Sequence, residues 1–248
     1  MNDIDPFKIF LELQLALPRN GPGSIGATRE AFALLPSLPP RPEIADLGCG
    51  QGPEAFDLLA LTDGRITAVD LFEPFLDRLM ARAEREEVPG SRLRVVRADI
   101  GDLPFSDSQF DLIWSEGAIY LLGFEDGLTL WRRFLKPDGL MVVSEITWLT
   151  DSPSVGVSRF WGENYPTMGT VASNEQAASR AGYRVLATRS LAAVDWWTEY
   201  YTPMRTKLAS MRRLYGPLPV FDEMEREIEI FERHPGEYSY VFYVMQRV

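Results

Sequence analysis

Short apolar runs alternate with helical patterns along most of the chain. The runs of strand length are residues 43–48, 65–72, 92–99, 110–116 and 140–147. They are rich in Val, Ile and Leu, which is typical of parallel strands that are buried on both faces. The pattern therefore predicts that these segments are strands of one buried sheet.

Helical patterns fill the intervals between these runs. Residues 53–61, 74–88 and 124–135 show helical periodicity. Pro74 suits the first turn of a helix, and the carboxylate of Glu73 beside it favours the positive end of the helix dipole. The alternation of strand and helix predicts an α/β fold built on a doubly wound parallel sheet with right-handed crossovers.

Both ends of the chain depart from this alternation. The N-terminal part contains helix candidates at residues 5–16 and 25–35, separated by the turn-rich stretch "LPRNGPGS". After about residue 190 the chain becomes helical and aromatic, and the final stretch "EYSYVFYVMQRV" is typical of a strand. The predicted organisation is a single domain over 1–248, with an N-terminal helical segment at 1–42, a core at 43–147 and a helical insertion at 192–234 before the last strand.

Composition narrows the classes of function. The 248 residues carry a formal net charge of −11, which disfavours nucleic acid as a partner. Cys49 and His234 are the only cysteine and histidine, so neither an intrachain disulfide nor a Cys/His zinc site is expected. The start "MNDIDPFKIF" does not resemble a signal peptide, and no apolar stretch has the length of a membrane span. We therefore expect a cytoplasmic protein with no metal and no membrane partner.

The stretch "EIADLGCGQGPEAF" places Gly48, Gly50 and Gly52 between a predicted strand and a predicted helix. Glycines at such a turn allow a sharp bend and let a ligand approach the backbone, while the next helix points free N–H groups at that ligand. Pro53 follows where a dinucleotide fingerprint would continue toward its third glycine, and no Gly-Lys-Ser/Thr follows as in a phosphate-binding P-loop. A tight turn with no ligand is the alternative interpretation.

"DLGCGQG" resembles motif I of the class I S-adenosylmethionine (SAM) methyltransferases. Three later stretches agree with this family in order: Asp70 in "AVDLF", then "RADIGDLPFSDSQFDLIWSEG", then "FLKPDGLMVVSE". The second of them is similar to the ubiquinone/menaquinone-biosynthesis-like branch. Asp138 stands where the family usually has glycine, and a turn tolerates Asp in a left-handed conformation. The resemblance implies a seven-stranded, mostly parallel, Rossmann-like methyltransferase fold.

The resemblance also implies roles for residues of the core. Asp46, Gly48 and Gly50 would line the methionine and ribose end of SAM, with Cys49 as a small residue that fills the turn. Asp70 would bind the ribose hydroxyls, as acids do in other nucleotide-binding sheets. The remaining implied contacts are Leu71 and Ile100 on the adenine ring, Asp99 on the adenine amino group, and Ser115 with Glu116 beside the sulfonium. For Asp99, the alternative is a loop acid that caps a backbone turn.

A wider similarity links the chain to a subgroup of bacterial methyltransferases whose substrate is undefined. It rests on "LPRNGPGS", "DLIWSEGAIYLLGFEDGL", "SEITWLTD", "FWGENYP" and "DWWTEYYTP". These stretches support the fold and the cofactor, and they leave the methyl acceptor open.

Candidate acceptor contacts follow the predicted strands, at the edge where open α/β sheets bind ligands. Glu116 and Tyr120 are the candidate catalytic groups, with Glu116 either a base or an anchor for the acceptor. The aromatic segments after residue 147 contain Pro, Gly and polar residues, which favours loops over core helices. His234 at the end of a charged helix before Pro235 is expected to be structural. The candidate substrate-binding residues are Glu145, Trp148, Trp161, Tyr165, Trp196, Trp197 and Tyr200.

The predicted function is transfer of the methyl group of SAM to a small-molecule acceptor, which leaves S-adenosylhomocysteine (SAH). Acids with aromatic rings suit an amine through cation–π contact, and a flat phenol or quinol equally well. The alternatives are a nicotinamide-dependent oxidoreductase, a non-catalytic SAM-binding protein, and a protein or nucleic-acid methyltransferase. "WSEG" stands where base-amine methyltransferases usually carry an "NPPY"-like motif. The "NGPGS" segment and the aromatic insertion are expected to close over SAM as a lid, or the insertion to form a homodimer surface.

Overall fold

A computed structural model describes residues 5–248 of the chain, so the first four residues of the predicted N-terminal segment, including part of the stretch judged for a signal peptide, lie outside the described residues. One sheet of seven strands runs through the structure in the order β3-β2-β1-β4-β5-β7-β6. The strands are β1 (Glu43–Leu47), β2 (Arg65–Asp70), β3 (Leu93–Arg97), β4 (Phe110–Glu116), β5 (Leu135–Trp148), β6 (Tyr183–Ser190) and β7 (Tyr238–Arg247).

Only β7 runs against its neighbours: it pairs antiparallel with β5 and β6, and the other pairs are parallel. The predicted seven-stranded, mostly parallel, doubly wound sheet is therefore confirmed. The strand order reverses between β1 and β4, and a crevice at the carboxyl ends of the strands is expected at this switch point.

Ten α-helices accompany the sheet in the described residues. They are α1 (Pro6–Leu15), α2 (Ile25–Phe32), α3 (Pro53–Leu61), α4 (Glu73–Arg85), α5 (Phe124–Trp131), α6 (Val155–Asn164), α7 (Val171–Arg180), α8 (Ala193–Trp196), α9 (Thr202–Tyr215) and α10 (Pro219–Arg233). Helix α3 has the predicted bounds, because it begins at Pro53 and its periodic face ends at Leu61.

Local backbone chemistry explains where the other predicted helices end. The chain leaves α4 just before Glu87, whose φ is 52°, three residues earlier than the predicted end at 88. The predicted helix over 124–135 is α5 followed by a single 3-10 turn at Arg132–Phe134, because Leu135 already pairs with Phe110 in the sheet. Asp138 adopts the left-handed conformation, with φ 59°, which the sequence predicted.

The pattern did not locate β6, α6 or α7. The exposed positions of β6 alternate with half-buried ones, so it lacks the continuous apolar run of a central strand. The expectation that the aromatic segments are loops was wrong for Trp161 and Trp196, which lie in α6 and α8. A π-helical turn at Trp197–Tyr201 joins α8 to α9.

The insertion has no core of its own. The Trp196 ring stacks on Phe231 of α10 at 4.3 Å between centroids, and both belong to the hydrophobic cluster that includes Trp114 of β4. The insertion also holds the N-terminal helix: Tyr215 donates to Glu12 at 2.6 Å. Both ends of the chain therefore pack together over one end of the sheet. No helix within residues 5–248 combines the length and the apolar character that crossing a bilayer requires.

Candidate active site

The glycine loop, residues 48–52, connects β1 to α3. Gly48 and Gly50 have φ angles of 74° and 52°, a conformation that side chains rarely adopt. A Cβ on Gly48 would overlap the Cβ of Ala118, and one on Gly50 would lie 2.5 Å from Asn20 Oδ1. The glycines are thus required by the backbone and by protein neighbours on two sides, one of which is the N-terminal segment.

Asp70 ties the end of β2 to this loop. Its Oδ2 accepts from the Gly50 N–H at 2.9 Å, and its Oδ1 accepts from the Phe72 N–H at 2.9 Å. Burial raises the pKa of the carboxyl, and these backbone hydrogen bonds counter that rise. Asp70 therefore holds the loop in shape and keeps lone pairs on both oxygens for a further donor.

Two predicted residues lie beneath the loop. Asp46 is buried at the end of β1, and its Oδ2 has no hydrogen-bond partner among the described residues. Burial, and then the negative charges of Glu54 and Glu116, raise its pKa well above the usual range. Ser115 is fully buried, and its hydroxyl donates to the Leu47 carbonyl at 2.8 Å. Asp46 thus has an open acceptor, whereas Ser115 fastens β4 to β1.

The residues expected around adenine follow β2 and β3. Leu71 is 46% exposed and Ile100 is buried. The Asp99 Oδ1 accepts from the Gly101 N–H at 2.8 Å, which is the turn-capping bond of the alternative interpretation, and its second oxygen remains available. Cys49 is buried in the glycine loop, where burial raises the pKa of its thiol well above the usual range.

Glu116 lies at the end of β4 beneath the N-terminal segment. Its Oε1 accepts from Thr28 Oγ1 and from Trp114 Nε1, each at 2.9 Å. Burial, and then the nearby charge of Glu54, raise its pKa to about 8. Glu116 therefore holds a proton more tightly than an exposed glutamate does, and its hydrogen bonds are directed to the protein.

Arg19 is the central charge of the site and was not predicted. It is 2% exposed and forms ion pairs with Glu54 at 2.6 Å, with Asp57 at 2.5 Å, with Glu199 at 2.9 Å and with Glu116 at 3.7 Å. Burial alone would lower its pKa, but the carboxylates more than offset that, so the pKa is raised. The only signal in the sequence is its place in "LPRNGPGS", because its partners are far apart along the chain.

A large cavity of about 270 Å³ opens beside this cluster. It contains five of the predicted catalytic or substrate residues: Tyr120, Trp161, Tyr165, Trp196 and Tyr200. Residues that sequence reasoning missed complete its wall, namely Phe10, Gln14, Asn20, Gly21, Pro22, Gly117, Ile146, Asn164, Glu227 and Tyr240. Helices, loops and strands from both ends of the chain therefore converge on one aromatic space.

Among the described residues, three of the predicted substrate-binding residues do not line the large cavity. Trp148 packs against Tyr238 with ring centroids 6.5 Å apart, and Trp197 lies under the Arg205 guanidinium at 5.3 Å. Glu145 is buried, and neither of its oxygens has a hydrogen-bond partner in residues 5–248. Burial raises the pKa of Glu145 to about 8, and the Tyr165 phenol nearby counters this without reaching hydrogen-bond geometry.

Glu227 of α10 is the missed acid of the large cavity. Its Oε1 accepts from the Tyr201 hydroxyl at 2.8 Å. Burial raises its pKa, and the bond from Tyr201 counters the rise. Nothing in the sequence distinguishes it from the other glutamates of "DEMEREIEIFERH", since only the fold turns its face of the helix inward.

A small cavity of about 70 Å³ lies over the glycine loop. Its wall includes Gly48, Gly50, Glu54 and Glu116, and it shares further residues with the large cavity: Asn20, Gly21, Pro22, Gly117 and Tyr240. The two cavities therefore meet at Gly117 and Tyr240. Asn20, Gly21 and Pro22 form a roof over both, which we call the roof segment.

His234 is remote from this arrangement. Its Nδ1 lies 3.2 Å from Ser154 Oγ and 3.0 Å from Glu237 Oε1. These contacts join the end of α10 to the start of α6, which agrees with the structural role expected for it.

Comparisons with known proteins agree with the sheet order and the glycine loop. Residues 44–139 match the family model described as a methyltransferase domain. The sterol 24-C-methyltransferase ERG6B of Gibberella zeae is 27% identical over 193 residues, which cover 74% of this chain and 50% of that protein. The chain spans about half the length of the curated relatives that it matches most strongly.

Two solved structures share the whole fold. The SAM-dependent methyltransferase from Geobacter sulfurreducens in complex with SAH has a TM-score of 0.79 and 19% identity, with 100% of both chains covered. The SAM-dependent methyltransferase from Thiobacillus denitrificans in complex with SAH has a TM-score of 0.81 and 18% identity, with 99% of this chain and 100% of the other covered. The chain thus shares its fold with these two structures, and residues 44–139 match the model of a methyltransferase domain.

Proposed function

We propose that this chain, whose residues 44–139 carry a methyltransferase domain, transfers the methyl group of SAM to a small-molecule acceptor and releases SAH. The observation that carries the proposal is the meeting of the two cavities at Gly117 and Tyr240. One cavity lies over the glycine loop at the switch point of the sheet, where such sheets bind nucleotides. The other is a concave, aromatic space of the kind that holds small molecules.

The residues at the glycine loop fit SAM. The open oxygen of Asp46 suits the ammonium group of the methionine part, because a buried acceptor without a donor costs free energy that such a group would recover. The free lone pairs of Asp70 suit the ribose hydroxyls. Leu71 and Ile100 offer apolar surface to adenine, and the second oxygen of Asp99 suits its amino group. SAM supplies a methyl group on a positively charged sulfur, which is already activated for transfer.

The protein's own contribution is placement and exclusion of water. Correct placement of a nucleophile contributes about 7–11 kcal/mol to lowering such a barrier. In our proposal the Tyr120 hydroxyl, in the wall of the large cavity, contacts the acceptor. Glu116 acts mainly by position, since its oxygens hold Thr28, Trp114 and, at 3.7 Å, Arg19.

We propose that the chain is a single domain in which the insertion at 192–234 is a helical cap. The roof segment and this cap would act together as a lid. The small cavity, at about 70 Å³, is far below the roughly 300–1,000 Å³ of sites that hold drug-sized ligands, so in our proposal SAM enters when the roof segment moves. Asn20 Oδ1 accepts from the Gln51 N–H at 3.3 Å, and this contact would open first.

Limited proteolysis tests the lid. We expect cleavage near residues 17–24 to slow when SAH is added, because bound ligand favours the closed form. The link at residues 36–42, which is remote from the cavities, provides the internal control and should be cut at an unchanged rate. Unchanged cleavage at both places would count against the lid.

Calorimetry and labelled transfer test the function. We expect SAH and SAM to bind and NADH not to bind, which separates the proposal from a nicotinamide-dependent oxidoreductase. Incubation of metabolite extracts with methyl-labelled SAM should then label a small molecule. Binding of SAM without label transfer to any fraction would support a non-catalytic SAM-binding protein, and label in protein or nucleic acid would support the remaining alternative.

Two finer assignments belong to this proposal. The stretch "RADIGDLPFSDSQFD" supports a place near the ubiquinone/menaquinone-biosynthesis-like branch, and the wider similarity supports the bacterial subgroup with an undefined substrate. A homodimer remains compatible with the fold, but it would use another face than the aromatic one, because Trp196 and Tyr201 of the insertion are buried.

A further inference from the structure

The wall of the large cavity combines aromatic rings with negative charge. Four phenols line it, from Tyr120, Tyr165, Tyr200 and Tyr240, together with the indoles of Trp161 and Trp196. Glu227 is the charged side chain in that wall, and neither Lys, Arg nor His appears in it among the described residues. A cavity built in this way attracts a cation and repels an anion.

Glu227 lacks a counterion. No ion pair to it occurs within residues 5–248, and it accepts a hydrogen bond from the neutral Tyr201 hydroxyl. The negative charge of Glu227 acts on the cavity wall. The pKa values of Tyr120 and Tyr200 are raised first by burial and then by this charge. The phenols therefore stay neutral at physiological pH, and the carboxylate faces the cavity without compensation.

The nearby cations point to other partners, and Arg226 of α10 lies over the Phe160 ring at 5.6 Å. Arg19 is shared among Glu54, Asp57, Glu116 and Glu199. Arg205, on the outer side of the insertion, pairs with Glu225 and Glu232. Glu145, which is buried near Tyr165 outside the cavity wall and has no hydrogen-bond partner in the described chain, supplies no positive charge either. Positive charge for this interior must come with a ligand.

We propose that the methyl acceptor is a small amine that enters as an ammonium cation, with Glu227 as its counterion and the surrounding tyrosine and tryptophan rings as its cation–π partners. This inference rests on the proposed function and names its substrate class. A cavity of about 270 Å³ lies below the roughly 300–1,000 Å³ of drug-sized sites. This volume favours a small acceptor.

The same carboxylate prepares the nitrogen. One proton passes from the ammonium nitrogen to a Glu227 oxygen, so the cation and the carboxylate become a neutral amine and a neutral carboxyl, and the nitrogen keeps its lone pair for the methyl group. Burial raises the pKa of Glu227, which makes it a better proton acceptor than an exposed glutamate.

A matched pair of probes tests the charge preference without turnover. Choline carries a quaternary nitrogen, and 3,3-dimethylbutan-1-ol has the same shape with a neutral carbon in its place. Binding of each is measured by quenching of tryptophan fluorescence, since Trp161 and Trp196 line the cavity, and by calorimetry, with and without SAH. We expect choline to bind at least tenfold more tightly than the alcohol.

Glu227→Gln keeps the size of the side chain and removes its charge. We expect the variant to lose the preference for choline while its affinity for SAH stays within about twofold of the wild type. Glu223→Gln, on an exposed position of the same helix, is the matched control and should keep the preference. Melting temperatures of both variants show that they are folded.

The outcomes separate the two proposals. Equal binding of choline and the alcohol, binding of neither to protein that binds SAH, or an unchanged preference in Glu227→Gln would overturn the amine assignment and leave the methyltransferase proposal standing. Failure of SAH and SAM to bind would overturn the methyltransferase proposal, while the choline preference would still be decided by the titrations without SAH. A panel of primary and secondary amines with labelled SAM then identifies the acceptor.

Discussion

The glycine loop and the large cavity stand side by side at one end of the sheet, but they are built in different ways. The glycine loop presents mainly backbone atoms. Its shape comes from the local geometry of residues 48–52 and from two hydrogen bonds that backbone N–H groups donate to the Asp70 carboxylate. The cavity is side chains that come from α1, α6, α8, α10, β7 and the loops between them. The first is fixed by a short run of sequence, and the second exists only in the folded chain.

Under the proposed function, this difference separates control of the cofactor from control of the acceptor. A loop made of backbone serves any acceptor, because it presents only what the cofactor requires. A cavity made of separate side chains can change one residue at a time and so choose its substrate. Substitutions in the two regions should therefore separate cofactor affinity from acceptor preference, except at Arg19, which directly precedes the roof segment that covers both cavities.

The largest effect is expected for Arg19→Met. Loss of the buried cation leaves Glu54, Asp57 and Glu116 without their partner, and such a loss costs about 3–5 kcal/mol of unfolding free energy. Because the roof segment follows Arg19 directly, affinity for SAH and for choline should fall together. Urea unfolding measures the first and calorimetry the second. Arg29→Met, at an exposed position of α2, is the control. An Arg19→Met variant whose unfolding free energy lies within about 1 kcal/mol of the wild type would contradict the role of Arg19 as the central partner of these carboxylates.

Gly48→Ala should affect the loop alone. The left-handed backbone costs about 1–2 kcal/mol for alanine, and the new Cβ meets that of Ala118, so the loop must shift. We expect SAH affinity to fall roughly 100-fold, or about 2.7 kcal/mol, while the choline preference measured without SAH persists. Gly90→Ala has open space around it and should bind SAH normally. Wild-type affinity in Gly48→Ala would show that the ligand does not contact the loop.

Asp70→Asn is expected to have a smaller effect on the same region. The amide loses the charge and turns one NH₂ toward the backbone N–H of Gly50 or Phe72, and a hydrogen bond to a charged group contributes about 1.5–3 kcal/mol. SAH affinity should fall roughly 10–100-fold in calorimetry. Asp77→Asn on the exposed face of α4 should leave it unchanged, and equal affinities in the two variants would exclude the ribose role of Asp70.

Glu145→Gln gives the smallest effect and sharpens the description of the acceptor side. Burial raises the folded-state pKa of Glu145 from about 4.5 to about 8, so the folded protein binds this proton more tightly than the unfolded chain does. Stability therefore falls as pH rises through that window. The variant should match wild type near pH 5 and exceed it by about 1 kcal/mol near pH 9, because the unpaired charge is gone.

Urea unfolding at both pH values measures this difference. Glu223→Gln, which is exposed, should follow the wild type across the range. A Glu145→Gln variant that is less stable than wild type near pH 9 would mean that the Glu145 carboxylate has a partner in the folded protein. Its burial would then not be an uncompensated cost in free energy.

The sequence predicted the parts of the molecule that depend on neighbours in the chain. The strands at 43–48, 65–72 and 110–116 were found because parallel strands are continuously apolar, and the glycine loop was found because a backbone requirement leaves a local pattern. Asp70 followed from its position at the end of the second strand. Each of these features is decided within a few residues.

The parts that were missed depend on contacts across the fold. Arg19 and Glu199 are 180 residues apart, and their pairing has no local signature. Trp161 and Trp196, which were predicted to bind substrate, lie in the cavity wall. Their assignment to loops was wrong, because aromatic packing against Phe160 and Phe231 outweighs the turn-forming residues beside them. Glu227 faces inward only because α10 lays that side against the core.

In the proposed lid the roof segment covers both cavities, so one movement would open both. An acceptor would then not be exchanged while SAH stays in place, and SAH would not leave past a closed acceptor cavity. Turnover should therefore follow a ternary-complex scheme in which both products depart during the same opening, with the rate of that opening, rather than methyl transfer, setting the pace at saturation.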